Sequence, residues 1–277
     1  MNNPSNELTA AAAYAIDFAR AELAGKSLFV LTGAGISTDS GIPDYRGEGR
    51  VVRHPMTFDS FMGSAAARQR YWARSFVGFS RIDQAKPNGG HIAIAKAANR
   101  IEQLVTQNVD GLHQAAGSRK VIDLHGRLDR VICTGCQKLL DRRDMDVLLA
   151  GLNPLVKKDV AIEFSPDGDA EIEVTADFVV PDCPVCGGIL KPDVVFFGEN
   201  VPTARALAAA EALERSDALL IAGTSLTVNS GLRFARSAHK SAKPIVIVNL
   251  GPTKADELAT IRISAGTSLS LERLLID

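Results

Sequence analysis

The chain has 277 residues, with 31 Lys and Arg against 32 Asp and Glu, and 46% of its residues are hydrophobic. These values are typical of a globular protein, and the balanced charge gives no general attraction for nucleic acid or for an anionic membrane. The longest apolar runs, such as residues 28–31 and 218–222, have the length of a strand. A membrane span needs about 20 such residues. We therefore expect no nucleic acid partner and no membrane partner.

Residues 8–24 place Ala, Ile, Phe and Leu at helical spacing, which predicts an amphipathic helix. The N-terminal segment lacks the basic start of a signal peptide and carries Glu7, Asp17 and Glu22. These acidic residues disfavour a targeting segment. We expect a cytoplasmic protein.

Short apolar runs recur at residues 28–31, 103–106, 120–124, 218–222 and 244–248, and each ends in a polar or glycine-containing turn. Helical patterns lie between them at residues 91–100, 204–215 and 231–239. This alternation predicts an α/β protein with a Rossmann-like, doubly wound parallel sheet. The functional turns of such a sheet lie at the carboxyl ends of its strands.

A glycine-rich turn, Gly33-Ala34-Gly35, directly follows the first apolar run. Such a turn lets backbone N–H groups approach a pyrophosphate. The usual dehydrogenase fingerprint has Gly or Ala three residues after the second glycine, whereas this chain has Thr38. Because a polar, proline-containing loop comes next, the sequence favours a dinucleotide held in a different pose. An ordinary strand-to-helix turn is the simpler alternative.

Polar residues follow two further apolar runs. Asn108 and Asp110 come after residues 103–106, and His125 comes after residues 120–124. A histidine near its intrinsic pKa is a natural general base, and an amide with a carboxylate suits sugar hydroxyls and a carboxamide. The remaining histidines are interpreted as structural: His54, His91, His113 and His239. No G-x-S-x-G motif is present, which disfavours a serine hydrolase.

The four cysteines form two CxxC pairs: Cys133 with Cys136 and Cys183 with Cys186. Four thiolates on two tight turns suit one tetrahedral Zn²⁺, and such a closed site is structural. A redox CxxC is the competing interpretation, which is disfavoured because redox motifs seldom come doubled.

Two segments interrupt the alternation of strands and helices. Residues 47–89 look helical, and residues 131–189 contain both cysteine pairs. We predict that they form a smaller inserted lobe, made of a helical module (47–89) and a zinc-ribbon-like, zinc-binding module (131–189). The large Rossmann-like domain then comprises residues 1–46, 90–130 and 190–277.

Taken together, the motifs resemble the sirtuins, the NAD-dependent protein lysine deacylases. The resemblance rests on GAGISTDSGIPDYR (33–46), TQNVDGLH (106–113), LHG (124–126), both CxxC pairs, LKPDVVFFGE (190–199), GTSLTV (223–228) and VNLG (248–251). These motifs run in family order over nearly the whole chain. RQRYWARSFVGF (68–79) and the long insert further resemble the class II branch, which includes the mitochondrial type-4 sirtuin of animals.

The resemblance implies an NAD site and a general base. The implied NAD-binding residues are Gly33, Ala34, Gly35, Ile42, Asp44, Tyr45, Arg46, Gln107, Asn108, Asp110, Gly223, Thr224, Ser225, Asn249 and Gly251. Asp44, Tyr45 and Arg46 belong to a mobile cofactor loop in this comparison. His125 is the implied base, and Asn108 is implied to hold the nicotinamide ribose and an ordered water.

The resemblance also implies that an acyl-lysine protein or peptide binds as an added strand. Its binding residues would be Val195, Phe196, Phe197, Gly198, Glu199 and Val228. Tyr71 and Arg74 have the Y-x-x-R spacing that marks a preference for acidic acyl groups in some sirtuins, whereas Trp72 matches the branch associated with larger acyl chains. These residues could equally belong to the core and surface of one amphipathic helix.

The reaction implied by the family is the transfer of the acyl group from lysine to NAD, giving nicotinamide and O-acyl-ADP-ribose. A second hypothesis is a protein mono-ADP-ribosyltransferase that uses the same site. A third is a catalytically weak, NAD-binding regulator, which is disfavoured because His125, Asn108 and Asp110 are all present. The reaction products would discriminate among the three.

Overall fold

A computed structural model describes residues 8–45, 56–156, 166–167 and 177–276. Its helices are α1 (Ala10–Glu22), α2 (Phe58–Gly63), α3 (Ala65–Gln84), α4 (Gly89–Lys96), α5 (Leu112–Ala115), α6 (Arg142–Leu152), α7 (Thr203–Arg215), α8 (Asn229–Lys240) and α9 (Thr267–Leu275). Its strands are β1 (Leu28–Thr32), β2 (Ile101–Thr106), β3 (Val121–Asp123), β4 (Gly126–Cys133), β5 (Leu139–Asp141), β6 (Leu190–Val194), β7 (Ala218–Ala222), β8 (Ile245–Val248) and β9 (Ile261–Ile263).

Six strands form a parallel sheet in the order β3-β2-β1-β7-β8-β9. Helices cover both of its faces. Ile16 of α1, Ile94 of α4 and Leu271 of α9 belong to the core on one face, and Leu213 of α7 and Phe234 of α8 belong to the core on the other. Every residue of β1 and β7 is buried, as expected of strands covered on both sides. The predicted Rossmann-like fold class is confirmed.

The second sheet is antiparallel and has the order β5-β4-β6. Its core includes Trp72 of α3, Val131 of β4 and Met145 of α6, so helices and the cysteine-bearing strands share one apolar cluster. The indole N–H of Trp72 donates to the Leu190 carbonyl oxygen at 3.1 Å and ties α3 to β6. Strand β4 crosses the predicted boundary at residue 130, and β6 starts at the predicted boundary at residue 190. The division into domains stays a prediction.

The predicted helix at residues 91–100 is a shorter helix, α4, followed by a 3-10 turn at Ala98–Arg100. Asn88 and His91 form a capping box at the start of α4, in which the His91 ring accepts the Asn88 backbone N–H. This contact gives His91 the structural role expected for it. Within the described ranges, we find no helix of the length and hydropathy that crossing a membrane requires.

Candidate functional site

The turns after the parallel strands lie side by side at one edge of the sheet. The Gln107 N–H donates to the Thr32 carbonyl oxygen at 2.9 Å, and the Gly33 N–H donates to the Ala222 carbonyl oxygen at 3.2 Å. The sheet hydrogen bonding therefore continues into the turns after β2 and β1. The motifs that follow separate strands are brought into one cleft, as the topology of a doubly wound sheet requires.

Glycines allow the turns after β1 and β7 to pack backbone against backbone. The Gly35 N–H donates to the Gly223 carbonyl oxygen at 2.8 Å. Gly223 has a φ of +64°, and a Cβ there would lie 2.4 Å from the backbone nitrogen of Ile36. A side chain at residue 223 would therefore be both strained and in collision.

Three backbone N–H groups at this junction, on Ala34, Thr224 and Ser225, donate to no residue in the described part of the chain. The Thr224 hydroxyl donates to the Gln107 side-chain oxygen at 2.7 Å, which joins the turn after β7 to the turn after β2. Converging N–H donors next to small residues suit the phosphates of a dinucleotide. The residues present therefore fit NAD.

A polar network lies beside these turns. The Ser37 hydroxyl donates to Oδ2 of Asp110 at 2.7 Å and accepts from Nδ2 of Asn108 at 3.0 Å. The Leu112 N–H donates to Oδ1 of Asp110 at 2.9 Å. This network holds the Asn108 amide and the Asp110 carboxylate together, and their role in binding stays a prediction. Ser37 was not among the predicted site residues, although its position two residues after the glycine turn is a signal that could have identified it.

His125 is half-buried at the end of β3, and both ring nitrogens make hydrogen bonds. Nδ1 lies 3.0 Å from the Gln107 carbonyl oxygen, and Nε2 lies 2.8 Å from the Ser230 hydroxyl. Burial lowers the pKa of His125 to about 4, with the cations Arg205 and Arg233 acting in the same direction and the Gln107 carbonyl opposing them. The imidazole is therefore neutral near pH 7, as a general base has to be.

Two buried histidines lie behind this edge. His113 Nε2 is 2.8 Å from the Thr32 hydroxyl, and its ring is 4.8 Å from that of His91 between centroids. Burial lowers the pKa of His91 to about 4 and that of His113 well below its ordinary value. Both were interpreted as structural histidines, and both belong to the interior.

The remaining predicted NAD-binding residues are Ile42, Asp44, Tyr45, Arg46, Asn249 and Gly251. The Asn249 side chain donates to the Gly251 carbonyl oxygen at 2.7 Å in the turn after β8. Ile42 is buried in the apolar cluster that contains Trp72 and Met145. Tyr45 is 39% exposed, and Arg46 lies outside the described residues. Asp44, directly before Tyr45, is half-buried.

The segment after β6, residues 195–199, reaches the candidate base directly. The Val195 N–H donates to the His125 carbonyl oxygen at 2.8 Å. Phe197 is 42% exposed and its ring meets that of Tyr45 edge-on at 6.4 Å. Gly198, with a φ of +82°, lies in the turn at the end of this segment.

An ion pair between the buried Lys191 and the half-buried Glu199 supports this segment. Lys191 Nζ lies 3.0 Å from Oε2 of Glu199, and the same oxygen accepts the Phe196 N–H at 2.9 Å. The Glu199 carboxylate is thus held by the protein itself and positions the loop.

Tyr71 and Arg74 lie on α3. Tyr71 is 3% exposed, and its ring packs edge-on against Phe196 and Trp72 at 5.3 Å and 5.5 Å. Arg74 is half-buried. Tyr71 therefore supports the predicted substrate segment from the core, and an acyl-binding role for this pair stays a prediction.

The four cysteine sulfurs lie within 4.8 Å of one another. Cys133 and Cys186 are 3.5 Å apart between sulfurs, and Cys136 and Cys183 are 3.8 Å apart. Tetrahedral zinc with Zn–S bonds of about 2.3 Å holds its sulfurs about 3.8 Å apart. The cluster fits one structural zinc ion.

A parallel sheet with glycine turns, a polar network and a neutral histidine at its carboxyl edge, joined to a four-cysteine module, defines a zinc-containing, dinucleotide-binding α/β protein. A comparison of the sequence with known protein families identifies the family. The chain belongs to the Sir2 family, whose match covers residues 33–230.

Curated relatives cover most of the chain. An NAD-dependent protein deacetylase of Xanthomonas axonopodis pv. citri (strain 306) is 53% identical over 250 residues, which are 88% of this chain and 85% of the relative. NAD-dependent protein deacetylase 1 of Mycobacterium avium (strain 104) is 50% identical over 263 residues, 93% of each chain. A structure of Sir2 with a p53 peptide and NAD⁺ has a TM-score of 0.74 and 31% identity, covering 92% of this chain and 94% of that one.

Proposed function

We propose that this protein removes acyl groups from lysine side chains of proteins in an NAD-dependent reaction, and that it acts in the cytoplasm. The observation that carries the proposal is the arrangement around His125. A neutral imidazole lies at the same sheet edge as the glycine turns and next to two segments that could hold a peptide. Relatives named as NAD-dependent protein deacetylases, at 53% and 50% identity, support the same reaction.

NAD, when bound, supplies the ADP-ribosyl group that receives the acyl group as nicotinamide is released. The N–H groups of Ala34, Thr224 and Ser225 are available for its phosphates, and the adenosine half would lie along Asn249 and Gly251. The network of Ser37, Asn108 and Asp110 supplies amide and carboxylate groups for the nicotinamide half. His125 accepts the proton of the hydroxyl that attacks the acyl carbon.

The substrate peptide would add as a strand between residues 195–199 and residues 227–230. Both segments touch His125, one through the Val195 N–H and the other through the Ser230 hydroxyl. Phe197 and Val228 are 42% and 36% exposed, so each presents an accessible side chain. A peptide held between them would place its acyl-lysine next to the base.

The four-cysteine module would hold one structural Zn²⁺ through Cys133, Cys136, Cys183 and Cys186. Because four protein ligands close the coordination shell, the ion supplies no position for substrate. Its effect is to fix the end of β4 that lies away from His125.

Mass spectrometry of the purified protein with NAD and a panel of acyl-lysine peptides tests the proposal. The panel contains acetyl, succinyl, hydroxymethylglutaryl, lipoyl and long-chain acyl groups. We expect NAD-dependent loss of at least one acyl group with formation of O-acyl-ADP-ribose, and His125→Ala should lower turnover by about 10²–10⁴-fold while NAD still binds.

Two outcomes contradict the proposal. If no peptide loses its acyl group and a protein gains ADP-ribose, the chain is a mono-ADP-ribosyltransferase. If neither reaction occurs while NAD binds, the chain is a regulator that senses NAD. Unchanged turnover in His125→Ala would remove His125 from the role of base.

A further inference from the structure

The hydrogen bonds of His125 define which nitrogen carries its proton. Nδ1 lies 3.0 Å from the carbonyl oxygen of Gln107, and a carbonyl oxygen can only accept. In the neutral imidazole Nδ1 therefore carries the hydrogen, and Nε2 has a free lone pair. The Ser230 hydroxyl, 2.8 Å away, donates to that lone pair.

Ser230 lies at the cleft. It is half-buried in the first turn of α8, two residues after the exposed Val228. Within the described ranges, no donor reaches its hydroxyl oxygen, so the oxygen that donates to Nε2 keeps lone pairs with which to accept. The N-terminal end of a helix also favours negative charge on a nearby oxygen.

We propose that Ser230 is a catalytic residue that relays a proton from the attacking ribose hydroxyl of NAD to Nε2 of His125. This proposal rests on the deacylase function argued above. In the relay, the ribose hydroxyl donates to the Ser230 oxygen while the Ser230 hydroxyl keeps its hydrogen bond to Nε2.

Each proton in this step has a donor and an acceptor. The ribose O–H bond breaks and a new O–H bond forms on Ser230, while the original Ser230 O–H bond breaks and an N–H bond forms on Nε2. Ser230 is regenerated and His125 becomes an imidazolium. The ribose oxygen forms its bond to the acyl carbon while the π bond of that carbon breaks and its electron pair moves to the attached heteroatom. No oxidant and no further reactant is needed.

Direct proton transfer to His125 is the competing arrangement. It requires the ribose hydroxyl to displace Ser230, because Nε2 has a single lone pair in the plane of the ring. The relay keeps the 2.8 Å contact that the free protein already has. The two arrangements make opposite predictions for a variant without the hydroxyl.

The first experiment uses the free protein and no substrate. Nitrogen-15 NMR of the histidine side chains, with His125 assigned from its loss in His125→Ala, should show a protonated Nδ1 and an unprotonated Nε2 that accepts a hydrogen bond. Ser230→Ala should shift the Nε2 resonance, and Ser230→Thr should shift it little. A protonated Nε2, or an unchanged resonance in Ser230→Ala, would overturn the proposal.

The second experiment separates the two chemical stages. Nicotinamide exchange reports the release of nicotinamide, whereas single-turnover loss of the acyl group also needs the base. We expect Ser230→Ala to keep its NAD affinity and its exchange rate within about twofold and to lose acyl removal by about tenfold or more. Ser230→Thr should keep most of the acyl removal. Ser237→Ala removes an exposed hydroxyl from the same helix and should leave both rates unchanged.

A proton inventory in mixtures of H₂O and D₂O counts the protons in motion. We expect a curved inventory for acyl removal in the wild type, with two protons moving, and a linear one in Ser230→Ala. Full acyl removal by Ser230→Ala, or a linear inventory in the wild type, would refute the relay while the deacylase function stands. If the wild type removes no acyl group, the proposed function itself has failed.

Discussion

Gly126, directly after the candidate base, shows how closely two strands approach at this site. It has a φ of +84°, and a Cβ there would lie 1.9 Å from the Asp193 carbonyl oxygen. Gly126→Ala would therefore push β4 away from β6 and move Val195 off His125. We expect a loss of about 2 kcal/mol or more in the free energy of unfolding, together with loss of deacylation. Urea unfolding and the peptide assay measure these effects.

Gly117→Ala is the matched control, because Gly117 has a φ of +95° with no heavy atom within 4 Å of the added Cβ. Gly117→Ala should lower the free energy of unfolding through backbone strain alone and should keep its activity. Equal activity losses in the two variants would contradict the account of Gly126.

The pH dependence of turnover follows from the environment of His125. Burial holds its pKa at about 4, below the ordinary 6.5 of a histidine. The base has to be neutral, so kcat/KM should stay on its plateau as the pH falls through about 6.5 and should decline only near pH 4–5. A profile of kcat/KM against pH measures this limb, and an inflection near 6.5 would contradict the prediction.

Substitution of Arg233 should change the pKa of His125 in a defined direction. Its positive charge lowers the pKa of His125, so Arg233→Gln should raise that pKa and move the acidic decline of kcat/KM to a higher pH. Because Arg233 is exposed, solvent and salt screen its charge, and we expect the shift to be small.

At the scale of elements, strand β4 connects the candidate base to the zinc module. β4 begins next to His125 and ends at Cys133, which pairs with Leu190 at the start of β6. The other end of β6 leads to Val195. Loss of the metal should therefore loosen the pairing of β4 with β6, which positions the substrate segment at residues 195–199. The parallel sheet has its own core and should keep its structure.

We expect Cys186→Ser, or removal of zinc by a chelator, to abolish deacylation and leave NAD affinity within a few-fold of the wild type. Metal analysis, NAD titration and the peptide assay provide the three readouts, and re-addition of zinc to the chelated protein is the control. Full activity without zinc, or an equal loss of NAD binding, would contradict this division of roles.

The sequence predicted the parallel strands better than the antiparallel ones, for a physical reason. β1 and β7 are buried on both faces and form continuous apolar runs. β4 is buried at only some positions and has charged residues between them, so it gave no clear signal. β9 has three residues, of which Arg262 is one. Strands of this kind are defined by their neighbours rather than by their own composition.

At the scale of the whole molecule, the site combines distant parts of the chain. The predicted residues at 33–35, 107–110, 223–225 and 249–251 lie in turns after parallel strands, at the carboxyl edge of the sheet, whereas Tyr71 and Arg74 lie on α3. Ser37, which hydrogen-bonds Asn108 and Asp110, and Ser230, the proposed proton relay, were not among the predicted residues. Ser230 meets His125 across 105 residues of sequence, and no local pattern marks that contact. The sequence therefore predicts the position of a residue where sheet topology determines it, and not where a tertiary contact does; the binding and catalytic roles of these residues stay predictions.

Two buried histidines, His91 and His113, and the half-buried His125 couple the fold to pH. The pKa values of His91 and His125 are lowered to about 4, and that of His113 is lowered well below its ordinary value, chiefly through burial. Between about pH 4 and 6.5 the unfolded chain binds these protons and the folded chain does not, so the free energy of unfolding rises with pH. This stability is fully present above about pH 6.5 and is lost as the pH falls toward 4.

We expect a slope of up to about 4 kcal/mol per pH unit near pH 5, because each histidine contributes up to about 1.4. Urea unfolding at several pH values measures it. His113→Gln should lower the slope by about one third, since it removes one of the three groups. His239→Ala, which removes an exposed histidine, should leave the slope unchanged. A flat profile from about pH 5 to 7 would show that these histidines are protonated in the folded protein, and His125 could then not serve as the neutral base near pH 5.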